Sequence, residues 1–184
     1  MRTRLLLGLA LALALAACGQ VERRAPDAVD EEGRSNRSQS LEAFLACARQ
    51  WTLDYEPAEA PADLAREADA VVTGKMVAVK RETTSVLEVN VDRVVAGDDG
   101  VVTDGSVYVE LPYFDHASCS GPTPSASGVF FLDELGNGTT AAFFQGFLVE
   151  DASGKLVSVW EPFRLMPRAW HGLDSIDEVL AEIG

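Results

Sequence analysis

In this 184-residue chain, nucleophile, imidazole and carboxylate types crowd together in one stretch, Tyr113-Phe114-Asp115-His116-Ala117-Ser118-Cys119-Ser120-Gly121. A thiolate beside an imidazole could attack a carbonyl or exchange a disulfide, and His116 with Cys119 would be the pair to do so. Catalytic partners, however, are assembled in space from separate elements, and neither a nucleophile elbow nor a cysteine-protease signature surrounds these residues. A polar loop pinned by a disulfide at Cys119 is the simpler reading, and no catalytic residue is assigned. His171 is the only other histidine, and Trp170-His171-Gly172 reads as the end of a segment. Two histidines in different regions fall short of the four ligands of a structural zinc site. Asp98, Asp99 and Asp104 lie among glycines but lack the spacing and terminal glutamate of a calcium loop, so turn chemistry accounts for them. Neither a metal site nor a cofactor is expected.

Aromatic residues offer a different chemistry, that of contact. Phe130-Phe131, Phe143-Phe144 and Phe147 read mainly as core. Neighbours in a strand point to opposite faces, which leaves one member of each pair available for exposure. A ligand surface is therefore sought there and around Tyr113 and Phe114.

Cys18 carries the third chemistry. Arg2 and Arg4 precede a 13-residue apolar run, Leu5 to Ala17, that ends Leu15-Ala16-Ala17-Cys18. As a helix the run spans about 20 Å, short of the roughly 30 Å hydrocarbon core of a bilayer, so it reads as a signal peptide that is removed. The Leu-Ala-Ala-Cys ending resembles the lipobox of bacterial lipoprotein precursors. That resemblance covers residues 1 to 18 and implies that Cys18 becomes the acylated first residue of the mature chain. Ordinary secretion, with cleavage after Ala16 and an incidental cysteine, is the alternative. Gly19 is not aspartate, so the resemblance to sorted lipoproteins implies outward transport where an outer membrane exists.

Loss of residues 1–17 removes two of the fifteen basic residues and none of the 29 acidic ones, which takes the net charge from −14 to −16. Such a chain is repelled by phosphate backbones and anionic headgroups, so nucleic acid is excluded as a partner and lipid on Cys18 must supply any membrane attachment. With Cys18 acylated, Cys47 and Cys119 remain as a pair in an oxidising compartment, where a disulfide is the default. Closing a loop of roughly 70 residues would stabilise the fold by about 4.4 kcal/mol in the chain-entropy model. Two buried free thiols are the competing reading, and a catalytic Cys119 a distant third.

The elements that position these residues follow from pattern. Residues 18–40 hold five acids and four arginines without apolar periodicity, and form a lipidated, disordered tether with a reach of about 25 Å. Leu41, Phe44, Leu45 and Ala48 make an i, i+3, i+4, i+7 stripe behind a Ser40 cap, which predicts a helix to about Trp51. Ala62 to Ala68 suggests one or two further turns. Strands are then expected over Ala70–Val79 with a bend at Gly74, over Leu87–Asp92, from Val107, over Gly128–Leu132, over Ala141–Val149 and over Leu156–Trp160. Ser175 and Glu178 form a capping box for a final amphipathic helix. One domain over 41–184 accommodates all of this: a mainly β fold, a small OB-like barrel of five or six strands with an N-terminal and a C-terminal helix.

The stretches Asp69-Ala70-Val71-Val72-Thr73-Gly74-Lys75, Val91-Asp92-Arg93-Val94-Val95-Ala96-Gly97 and Gly128-Val129-Phe130-Phe131-Leu132 resemble the strands of netrin-like, or metalloproteinase-inhibitor-like, OB barrels over roughly residues 64 to 150. Inhibitors of that superfamily use a free N-terminal cysteine to chelate zinc. An acylated Cys18 held a tether away departs from that arrangement, so the mechanism is not carried over. The expected function is that of an extracytoplasmic lipoprotein, anchored in the bilayer through Cys18, whose non-catalytic barrel binds a protein or cell-envelope component. The alternative is a hydrolase or thiol-redox protein using His116 and Cys119.

Overall fold

Alternating apolar residues followed by tight turns dominate the chain after residue 70, and they form a closed β-barrel. The computed structural model describes residues 41–49, 56–81, 85–111, 125–136, 138–160 and 163–184. Helix α1 covers residues 41–48, and α2 is Pro61–Glu67. The strands are β1 (Ala70–Arg81), β2 (Ser85–Gly97), β3 (Ser106–Glu110), β4 (Ser127–Glu134), β5 (Thr140–Glu150) and β6 (Leu156–Ser158). Helix α3 is Ile176–Ile183. Antiparallel pairings run β3-β2-β1-β4-β5-β6, and a parallel pairing of Val109 with Thr140 and Glu110 with Ala141 joins β3 to β5. Five strands thus close on themselves in the order 1-2-3-5-4, the small OB-like barrel expected from the pattern, with β6 added outside.

The expected i, i+3, i+4, i+7 stripe of α1 is buried, together with Cys47, in the same core as the barrel residues Val72, Leu87, Val89 and Phe147. Proline at its first turn starts α2, and the backbone N–H of Ala68 closes it on the Leu64 carbonyl. The capping box of α3 forms as read: the Glu178 N–H donates to Ser175 Oγ at 3.3 Å, and the Ser175 N–H donates to Glu178 Oε2 at 3.0 Å. Asp98 accepts from the Gly100 N–H at 2.9 Å, and Asp104 adopts a positive φ of 51° before Gly105, so these aspartates shape turns.

One expectation needs correction. Phe130 and Phe131 do point to opposite faces, yet both are completely buried. Strands β1, β4 and β5 have a core on each side. Inside the barrel, Phe130 meets Phe147 edge to face at 5.3 Å. Outside it, Phe131 meets Trp170 at 6.1 Å, within a second core that includes Val71, Leu148, Met166 and Val179. The segment 163–184 covers the outer face over Phe131, so neither member of this pair is exposed, whereas Phe143 in β5 is only partly buried.

Gly74 and Gly128 face each other across β1 and β4, and the β1–β2 register shifts between Thr73 and Gly74. A Cβ at Gly74 would lie 2.3 Å from the Asn90 carbonyl oxygen, and one at Gly128 would lie 2.2 Å from that of Leu148. Four consecutive strands therefore approach through a paired absence of side chains, and the sheet coils tightly enough to close. Gly74→Ala is expected to cost roughly 1 to 3 kcal/mol through forced backbone separation. Urea unfolding of the variant should show a lower midpoint with an unchanged slope, and an unchanged midpoint would refute so close an approach.

Candidate functional site

At the seam where β3 meets β5, the barrel wall stands opposite α2 and the segment leading into it, and a cavity of about 340 Å³ lies between them. Its floor is apolar: Leu64 from α2, Leu111 after β3, Ala142 and Phe143 from β5, and Trp160 beyond β6. Glu56, Glu67, Glu110 and Asp133 also line it, and none of its described lining residues is basic. The size is near the lower end of ligand cavities, and the make-up, an apolar floor with a few polar groups, is the usual one.

The segment leading into α2 has no regular structure, so something must hold it. Gln145, 2 % exposed in the middle of β5, accepts from the Ala58 N–H and donates to the Ala58 carbonyl, both at 2.8 Å. The Trp170 indole N–H donates to the same carbonyl at 3.1 Å. Both backbone groups of half-buried Ala58 are thereby satisfied, and the segment is fixed on the barrel. On the strand side, Thr139 Oγ1 donates to Glu110 Oε1 at 2.7 Å.

Burial, and then the hydrogen bond and charge of neighbouring Asp69, hold the Asp133 carboxyl above its ordinary value. Asp69 also accepts from the Glu134 N–H at 2.8 Å. The pair is a site of electrostatic stress at the cavity edge.

A wider groove of about 610 Å³ runs between the end of α1 and the 155–174 region. There the Arg49 guanidinium donates to the Ser158 carbonyl. Burial, and then the charge of Arg164, lower the pKa of Arg49. Lys155 pairs with Asp174 at 2.8 Å, which raises the lysine pKa. His171 also lines this groove, and its Nε2 lies 2.9 Å from the Met166 carbonyl oxygen.

Of the residues singled out from the sequence, Cys18, Tyr113, Phe114, His116 and Cys119 lie outside the described residues. Cys47 is described and is 6 % exposed, on the barrel-facing side of α1. Leu111 and Ala126, at the two edges of the undescribed Cys119 stretch, are buried in the same core as Cys47. Among the described residues, no three of the His, Cys, Asp and Glu side chains are grouped to hold a metal ion. Apart from Phe143, one of the aromatics around which a ligand surface was sought, the residues that build the cavity were not anticipated. One of them, Gln145, left a readable trace as a lone amide in the apolar run Ala141-Ala142-Phe143-Phe144-Gln145-Gly146-Phe147-Leu148-Val149. Set against known proteins, the chain matches no family model, and no curated protein matches it in sequence.

The Asp133 geometry has a measurable consequence. An acid held above its ordinary value of 3.8 binds more protons in the folded chain than in the unfolded one. Its contribution to stability is full below that value and is lost as pH rises through the folded-state value. Asp133→Asn keeps the shape without the charge. It should raise the melting temperature at near-neutral pH and leave it almost unchanged at about pH 3, where the parent carboxyl is protonated. A melting temperature lowered at near-neutral pH would contradict the stress assigned to this pair.

Proposed function

We propose that the protein is a membrane-anchored extracytoplasmic lipoprotein, held in the bilayer by acylated Cys18, whose barrel binds a protein or cell-envelope component without catalysis. The observation that carries the binding role is the cavity at the β3–β5 seam, with an apolar floor and a wall pinned by Gln145. A hollow already built in this way spares a ligand the cost of ordering it. The anchor rests on the apolar run and the Leu15-Ala16-Ala17-Cys18 ending. Fold-level kinship with the netrin-like barrels belongs to the same proposal and transfers no inhibitory mechanism.

A Cys47–Cys119 bridge completes the reading. Cys47 is buried on the barrel-facing side of α1, which supports the pairing. Burial of Leu111 and Ala126 beside Cys47 supports it too, because the connecting stretch starts and ends at the core that α1 covers. Such a bridge would clamp α1 and the Tyr113–Phe114 region to the barrel, and would leave Cys119 no thiolate for catalysis.

Metabolic labelling with a palmitate analogue tests the anchor. The parent chain should take up label and Cys18→Ala should take up none. Label retained on Cys18→Ala would overturn the lipoprotein reading.

A further inference from the structure

The chain carries 29 acidic residues against fifteen basic ones, so a surface picked at random is negative. The groove between the end of α1 and the 155–174 region inverts that balance. Arg49, Lys155 and Arg164 line it together with His171, and Asp174 is the one acid among its described lining residues. Lys155 already engages that acid at 2.8 Å, which leaves an excess of two positive charges on Arg49 and Arg164. These two guanidinium groups are also kept near each other. Long, flexible cations of like charge would ordinarily swing apart into water, but the Arg49 guanidinium is tied to the Ser158 carbonyl at the end of β6. Partial burial, and then the charge of Arg164, hold its pKa down. The fold thus keeps one partly desolvated guanidinium in the field of a second, an arrangement that an anion shared by the two would relieve. A guanidinium has five N–H donors, so the bond to Ser158 leaves Arg49 others to offer.

We propose that this groove binds a phosphate monoester, its phosphate shared by Arg49 and Arg164 and its organic body laid against half-buried Val157 and Phe163. Charge selects the monoester. At neutral pH such a group carries about −1.5 to −2 and cancels the excess of two, whereas a carboxylate or a phosphodiester cancels half of it. Planar guanidinium groups grip phosphate oxygens through paired N–H bonds, a geometry that an ammonium does not offer. A groove of about 610 Å³ admits a phosphate with a small organic body. The net charge of −14 still repels extended polyanions, so a single phosphate group is accepted where a nucleic acid is not. The groove shares no described lining residue with the cavity at the β3–β5 seam, and this inference goes beyond the binding role proposed there.

The test is a titration of the full-length chain at about pH 7.5, where phosphate is mainly the dianion, followed by NMR at the arginine side-chain N–H resonances. Ionic strength is held constant. Three probes are compared: inorganic phosphate, phenyl phosphate, and dimethyl phosphate, a diester of single charge like the phosphate of a lipid headgroup. Inorganic phosphate should move the Arg49 and Arg164 resonances along saturable curves, and phenyl phosphate should bind more tightly through its ring. Dimethyl phosphate should bind at least about fivefold more weakly than inorganic phosphate, the scale of one ion pair. Arg164→Gln changes an exposed side chain and should weaken phosphate binding by a similar factor, whereas Arg66→Gln, whose side chain pairs with Asp63 in α2, should leave it unchanged. Equal binding of inorganic and dimethyl phosphate would overturn the monoester assignment in favour of a headgroup-type diester. Phenyl phosphate bound more weakly than inorganic phosphate would overturn the contact with Phe163. Shifts that fail to saturate, or an affinity unchanged in Arg164→Gln, would overturn the site itself.

Discussion

Gln145 lies in the wall of the barrel with almost no access to water, and a primary amide in that position must find partners or cost the fold the full desolvation of its polar atoms. It finds both on one residue, taking the N–H and the carbonyl of Ala58, 87 positions earlier in the chain. Trp170, 112 positions later than Ala58, adds its indole N–H to the same carbonyl. Three distant regions thus meet at one residue. The approach to α2 is fixed, the C-terminal segment is held on the outer face, and the cavity acquires its second wall. Losing the amide would take the partner from the N–H of half-buried Ala58 and loosen all three connections together.

Such a junction requires the sheet to coil sharply enough to bring β3 against β5, and the facing pair Gly74 and Gly128 permits this. Closure creates one core inside the barrel. The outer faces of β1, β4 and β5 are equally apolar, and the segment 163–184 buries them with Met166, Trp170, Leu173 and Val179. The cavity opens where the outer cover gives way to α2 at the closing seam, so its floor borrows side chains that border both cores, Ala142 from one and Phe143 from the other.

The sequence was most legible where structure is local. The stripe of α1, the capping box of α3, the aspartate turns and the bend at Gly74 each depend on residues a few positions apart, and all of them form as read. The alternating strands and their number announce the barrel. Which faces are wet is a different matter. Alternation in β4 says that Phe130 and Phe131 point apart, but nothing in β4 reveals the cover over the outer face, because Met166, Trp170 and Leu173 come from short turns without a strong period. The candidate site was hidden for the same reason. Glu56, Glu67, Glu110 and Asp133 converge only through closure of the barrel, and each taken alone reads as an ordinary surface acid. Gln145 was the single visible irregularity, a polar residue where an apolar one belonged.

The central claim is that the segment before α2 is pinned to the barrel and so pre-forms the cavity. Native-state hydrogen exchange at the Ala58 amide measures this most directly, because that amide lies outside any helix or strand and owes its protection to Gln145. Protection approaching that of the amides in β4 and β5 is predicted, together with slow exchange of the Trp170 indole proton. Exchange of the Ala58 amide at the rate of an open coil would contradict the account.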